Sequence, residues 1–292
     1  DHSLVKDMSR FIGQNLFGCF AWSAGIQGTN ILLNLFFGPA INAARAISVQ
    51  VSAVVTRFTE NIMTAVKPQI IKSYASGDRE YMIVLIVKSS KYAYFLAALF
   101  AIPVMMEIEF LLKVWLGQVP EHTVAFTRLV LCESLIGVFI PPLWIAANAT
   151  GRIKNNQVYG RMFTLAILPI SYLLLKVQQD PMIPFFIIIV LLIISNPMYD
   201  LIKKIIQKKE IAGALTILLI NVLMFCFIFY FGNSIVGLIQ SLMIPEDTFS
   251  RFLLVFASML IVGVCVVYRL LSEGERVVLQ GYIQRVCTKL KK

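Results

Sequence analysis

Long apolar runs alternate with short polar links along this chain. Each of eight runs approaches the roughly 20 residues a helix needs to cross about 30 Å of hydrocarbon. They lie near 11–37, 40–66, 88–106, 124–147, 162–176, 182–202, 211–232 and 252–271. The fifth is short and is expected to extend back to about Asn156. Gly38-Pro39 predicts a sharp turn between the first two, with Pro at the first helical position of the second. A turn that short makes those helices antiparallel neighbours.

The second run departs from the apolar pattern. It carries Arg45, Gln50, Arg57, Glu60 and Asn61, which at about 100° per residue gather with Asn42 and Thr64 towards one side. The other side is Ile, Val, Phe, Met and Ala. Arg or Asp at the centre of a membrane helix costs roughly 2.5–3.5 kcal/mol, and each Leu, Ile, Phe or Val returns only about 0.3–0.6. Two arginines and a glutamate against lipid would cancel most of the apolar gain. That face is expected to line a protein interior or a watery cavity.

The composition agrees with a membrane chain. Of the 292 residues, 58% are hydrophobic and 14% charged, against about 25% charged in a soluble domain. The net charge of +10 invites a nucleic-acid reading, but no RNA- or DNA-binding pattern accompanies it. The basic residues fall instead in alternate links: Lys67 to Lys91, Arg152 to Arg161, Lys203 to Lys209 and the tail from Arg269. Glu107, Glu109, Glu121, Asp180, Glu246 and Asp247 fall in the others. The positive-inside bias then places both termini in the cytoplasm. The chain opens at Asp1 with no initiator Met and no secretory signal pattern, which leads us to expect a longer protein upstream.

Other polar groups sit inside apolar runs. Ser23, Gln27, Asn30 and Asn34 share one side of the first helix. Amides there serve either as interhelical glue or as cavity lining. Arg57 and Glu60 are spaced to pair with each other. Arg45 has no such local partner and has room to snorkel towards the surface. Glu133 is a lone carboxylate that either pairs with an arginine or takes up a proton or sodium ion. Pro141-Pro142 falls mid-run and is a candidate hinge. Of the five cysteines, Cys19, Cys132, Cys226 and Cys265 read as small core residues, and none forms a CxxC pair. No catalytic constellation, metal motif, nucleotide loop or cofactor fingerprint appears.

Two long phrases carry a family resemblance. NILLNLFFGPAINAARAISVQV, with TAVKPQIIKSYASGD after it, and ANATGRIKNNQVYGRMFTLAILPISYLLLK closely resemble bacterial oligosaccharide (O-antigen type) flippases. These belong to the multidrug/oligosaccharidyl-lipid/polysaccharide exporter superfamily. The resemblance spans about 11–205; the last two helices match in hydropathy alone. It implies two six-helix lobes around a central cavity, sometimes with two extra helices. In that frame 1–10 is a cytoplasmic lead-in, 11–209 the second lobe, and 210–292 a helix pair with a basic tail. The first lobe would then be absent from this chain.

The resemblance also implies a function. The family moves an undecaprenyl-diphosphate-linked oligosaccharide across the inner membrane by alternating access, for lipopolysaccharide and other polysaccharide biosynthesis. Positive cavity side chains meet the diphosphate or acidic sugars. The expected fold is thus an all-α polytopic membrane protein with about eight spans. Arg45 and Arg57 would contact anionic groups, being planar, multidentate and always charged. Gln50, Asn61, Gln27, Asn30 and Asn34 would contact sugar hydroxyls or neighbouring helices. Glu60 and Glu133 would balance charge or couple an H+ or Na+ ion. Partners would be the lipid-linked glycan, membrane lipids and the first lobe, with no nucleic acid and no cofactor. Two alternatives remain. A drug/cation antiporter of the same superfamily would more often place acidic groups in the cavity. A membrane glycan polymerase or acyltransferase would need catalytic residues in larger outer loops.

Overall fold

A computed structural model describes residues 2–149, 153–194 and 257, and every element among them is helical. Eight helices follow in order: α1 His2–Phe37, α2 Pro39–Ala75, α3 Arg79–Met106, α4 Ile108–Leu116, α5 Thr123–Gly137, α6 Ile140–Ala149, α7 Ile153–Val177 and α8 Ile183–Ile194. Two stretches, Arg79–Met106 and Thr123–Ala146, are long and apolar enough to cross a membrane. Their length and composition suggest a membrane protein. Two is fewer than the eight spans expected. Length and apolarity single out neither α1 nor α2, and the expected spans at 211–232 and 252–271 lie outside the described residues.

The turns are where sequence and structure agree most closely. Gly38 has φ 83°, a backbone state that an L side chain rarely adopts, and its N–H closes on the Asn34 carbonyl at 2.9 Å. Pro39 then opens α2 without wasting a donor. At the other end Gly77 also has positive φ, and the Asp78 carboxylate accepts from the Tyr81 N–H at 3.0 Å to cap α3. α7 reaches back to Ile153, as its expected extension required.

Three boundaries differ from the sequence reading. α3 starts at Arg79, a full two turns before the expected 88. The expected outer loop at 107–123 contains α4, which an Arg128–Glu109 ion pair at 3.8 Å ties to α5. The expected span at 124–147 is broken into α5 and α6 at Val138–Phe139. Pro141 and Pro142 supply the cause. Each lacks an N–H, so the carbonyls of Gly137 and Val138 lose their helical donors. The break thus falls one turn before the prolines.

α2 is the hub of the fold and packs on α1, α3, α5 and α6. One apolar core joins α2, α3, α5 and α6 around Met63, Ile70, Met82, Ala97, Leu131 and Leu143. A second joins α1, α2, α5 and α8 around Leu33, Ala44, Phe126, Leu129 and Phe185. α1 and α7 approach closely through glycines. A Cβ on Gly28 would collide with the Leu168 side chain, and one on Gly25 would lie 2.8 Å from Thr164 Cγ2. Small residues at such crossings are how membrane helices gain contact without a hydrophobic drive. Large apolar side chains cover the outside, among them Leu16, Phe20, Ile31 and Leu35 on α1, Val84 and Val87 on α3, and Leu173 and Val177 on α7.

Candidate functional site

The polar residues of α2 divide between two faces. Gln50, Arg57, Glu60, Asn61 and Thr64 are all exposed and occupy an arc of about 100°. Arg45 lies about 120° around the axis from Arg57 and is only 6% exposed. The sequence reading had grouped it with the others. The exposed stripe is bracketed by Val49, Val54 and Ile71, also exposed. Its members are not neutralised locally: among the described residues no ion pair joins Arg57 to Glu60, and Thr64 bonds only back to the Glu60 carbonyl at 2.9 Å.

Arg45 does not snorkel. It turns inward to α1, where one guanidinium nitrogen donates to Asn30 Oδ1 and to the Ile26 carbonyl at 3.4 Å. The guanidinium also stands over the Phe185 ring of α8, 5.8 Å from its centroid, a cation–π arrangement. Glu133 of α5, half-buried, lies within electrostatic range of it. Arg45 thus gathers α1, α5 and α8 around α2. Its Nε is buried without a hydrogen-bond partner.

The amides of α1 continue outward from that point. Asn30 is half-buried, and its Nδ2 donates to Gln27 Oε1 at 3.1 Å. Gln27 and Asn34 are exposed. The structure therefore brings Arg45, Asn30 and Gln27 together at the α1–α2 crossing, with Glu133 of α5 within electrostatic range of Arg45. It keeps Gln50, Arg57, Glu60 and Asn61 apart on the open side of α2. Of the candidate hinge, Pro141 is half-buried and Pro142 buried against the first core. Cys132 is buried as expected, but Cys19 is exposed on α1.

A second polar feature escaped the sequence reading. Hydroxyls form a seam between α2 and α5. Ser48 Oγ donates to the Ala44 carbonyl at 2.8 Å and accepts from Thr127 Oγ1 at 3.1 Å. Ser52 and Ser134 share a hydrogen bond at 2.5 Å. Ser48, Ser52 and Thr59 are buried on one side of α2. Their spacing of four and seven was visible, but Ser and Thr blend into an apolar run and carry no charge to flag them.

No family model, curated protein or solved structure matches this chain.

Proposed function

We propose that this chain forms one lobe, with an added helix pair, of a bacterial inner-membrane flippase for undecaprenyl-diphosphate-linked oligosaccharides. Both termini face the cytoplasm. An N-terminal lobe closes the cavity, and an H+ or Na+ gradient drives alternating access. The observation that carries the reading is the exposed, unneutralised stripe of Gln50, Arg57, Glu60 and Asn61 on a helix whose other side is packed in protein. Lipid will not accept that face, so a polar cavity must. Arg57 offers a fixed positive fork to a diphosphate or an acidic sugar. Gln50, Asn61, Gln27 and Asn34 offer amides to hydroxyls. Arg45 supports the wall from behind instead of reaching the substrate.

The test is complementation of a flippase-null strain by the full-length protein carrying Arg57→Ala or Arg57→Lys. Both variants are expected to lose most polysaccharide export, Lys less than Ala. Full export by both removes the ligand role. Glu60, exposed on the same stripe, favours one rival, the drug/cation antiporter. Resistance to cationic dyes on overexpression, lost in Glu60→Gln, would select it.

A further inference from the structure

We infer that Arg45, acting through Asn30, turns the Gln27 NH2 outward, so that this wall of the site favours ligand oxygens that are hydrogen-bond acceptors. The inference rests on the transport reading above and specifies what one part of that site recognises.

A primary amide has two unlike ends, an acceptor oxygen and a donor NH2, and can present either one. A guanidinium has no acceptor and can only donate. Arg45 is 6% exposed and held from three sides, by Asn30, the Ile26 carbonyl and the Phe185 ring. Asn30 must therefore turn Oδ1 towards Arg45. Its NH2 then points the other way, and it donates to Gln27 Oε1 at 3.1 Å. With its oxygen engaged, Gln27 shows its NH2 to the exposed side. A buried charge thus fixes the orientation of an exposed amide two side chains away.

The Ile26 contact adds rigidity. It pins the backbone of α1 one residue before Gln27, so the amide is placed as well as oriented. A preorganised donor loses little on binding. It suits phosphoryl, carboxylate and carbonyl oxygens, which only accept. It discriminates less for a hydroxyl, which can also turn its own donor.

The experiment uses the full-length protein in nanodiscs, with undecaprenyl diphosphate as the acceptor-only probe and undecaprenol as the tail control. Gln27→Ala is expected to weaken undecaprenyl diphosphate binding about tenfold, the upper range for one hydrogen bond, and to leave undecaprenol unchanged. Asn30→Asp retains the bond to Arg45 but can no longer donate. Gln27 must then reverse, giving its NH2 to Asp and its oxygen to the ligand. In that background Gln27→Ala is expected to leave binding unchanged or to improve it. A purely electrostatic effect of the new carboxylate would leave the tenfold loss intact in both backgrounds, and that outcome overturns the inference. Arg45→Lys, which still only donates, should preserve the wild-type pattern. If Arg57→Ala abolishes binding while Gln27→Ala does not touch it, the inference falls and the flippase reading stands. If the wild-type protein binds undecaprenyl diphosphate no better than undecaprenol, the flippase reading falls with it.

Discussion

Arg45 and Arg57 share one helix and opposite surroundings. Arg45 is enclosed by α1, α5 and α8, with two hydrogen-bond acceptors and an aromatic ring around it. Arg57 stands on the open side with no ion pair among the described residues. Stability and function should therefore separate. Arg45→Ala leaves Asn30 and the Ile26 carbonyl without their donor and is expected to destabilise the fold by about 2–3 kcal/mol, typical of hydrogen bonds to a charged group. Arg57→Ala should change stability by no more than about 0.5 kcal/mol, as for other exposed sites, while still impairing transport. Thermal unfolding in detergent, measured beside export, checks both. The sequence showed that both arginines needed polar company but not which way each turned. Periodicity places a side chain on a helix. Its fate depends on the neighbour, and the neighbour of Arg45 is a carbonyl and an amide on α1.

At the scale of elements, two kinds of helix contact hold the bundle. α1 and α7 meet through Gly25 and Gly28, where the space for a side chain is already filled. Gly28→Ala meets the branched end of the Leu168 side chain, which can change rotamer, and no backbone atom among its three nearest neighbours. Gly25→Val meets both Thr164 Cγ2 and, at 3.3 Å, the Thr164 carbonyl oxygen, which belongs to backbone. We expect Gly25→Val to cost about 1–3 kcal/mol, as overpacking does, and Gly28→Ala clearly less. Paired thermal melts would read the difference. α2 and α5 meet instead through hydroxyls. Here Ser52→Ala and Ser134→Ala should each cost well under about 2 kcal/mol, with a coupling near 0.6 kcal/mol in a double-mutant cycle. The helices themselves were legible, because Gly38-Pro39 and Gly77-Asp78 end and start them by fixed backbone chemistry. α4 was not. Glu107 before it and Glu109 in its first turn read as loop, and its nine residues fall short of the roughly 20 that a span needs.

For the molecule as a whole, the exposed surface has two characters. Among the described residues, Leu, Ile, Val and Phe stand exposed on α1, α3 and α7. The open side of α2 is amide and charge. A bilayer and a watery cavity would sort these surfaces, and labelling can see the sorting. With the native cysteines replaced, Arg57→Cys and Asn61→Cys in the full-length protein are expected to react with a membrane-impermeant maleimide. Leu173→Cys and Val87→Cys should stay protected. Equal protection of all four would place α2 against lipid or a dry interface and remove the cavity.

The hydroxyl seam has a mechanical consequence. Ser48, Thr127 and Ser134 each have a carbonyl acceptor one turn back on their own helix, at 2.8, 2.7 and 2.9 Å. For these three, breaking a cross-helix bond strands no donor, because the alternative acceptor is already in place. Interlocked methyl groups would have to climb over one another for α2 to slip along α5. Hydroxyls can let go and re-engage singly, each with a small barrier. The hydroxyls of the α2–α5 joint can thus exchange partners in place, while the apolar contacts of both cores hold the two helices in register.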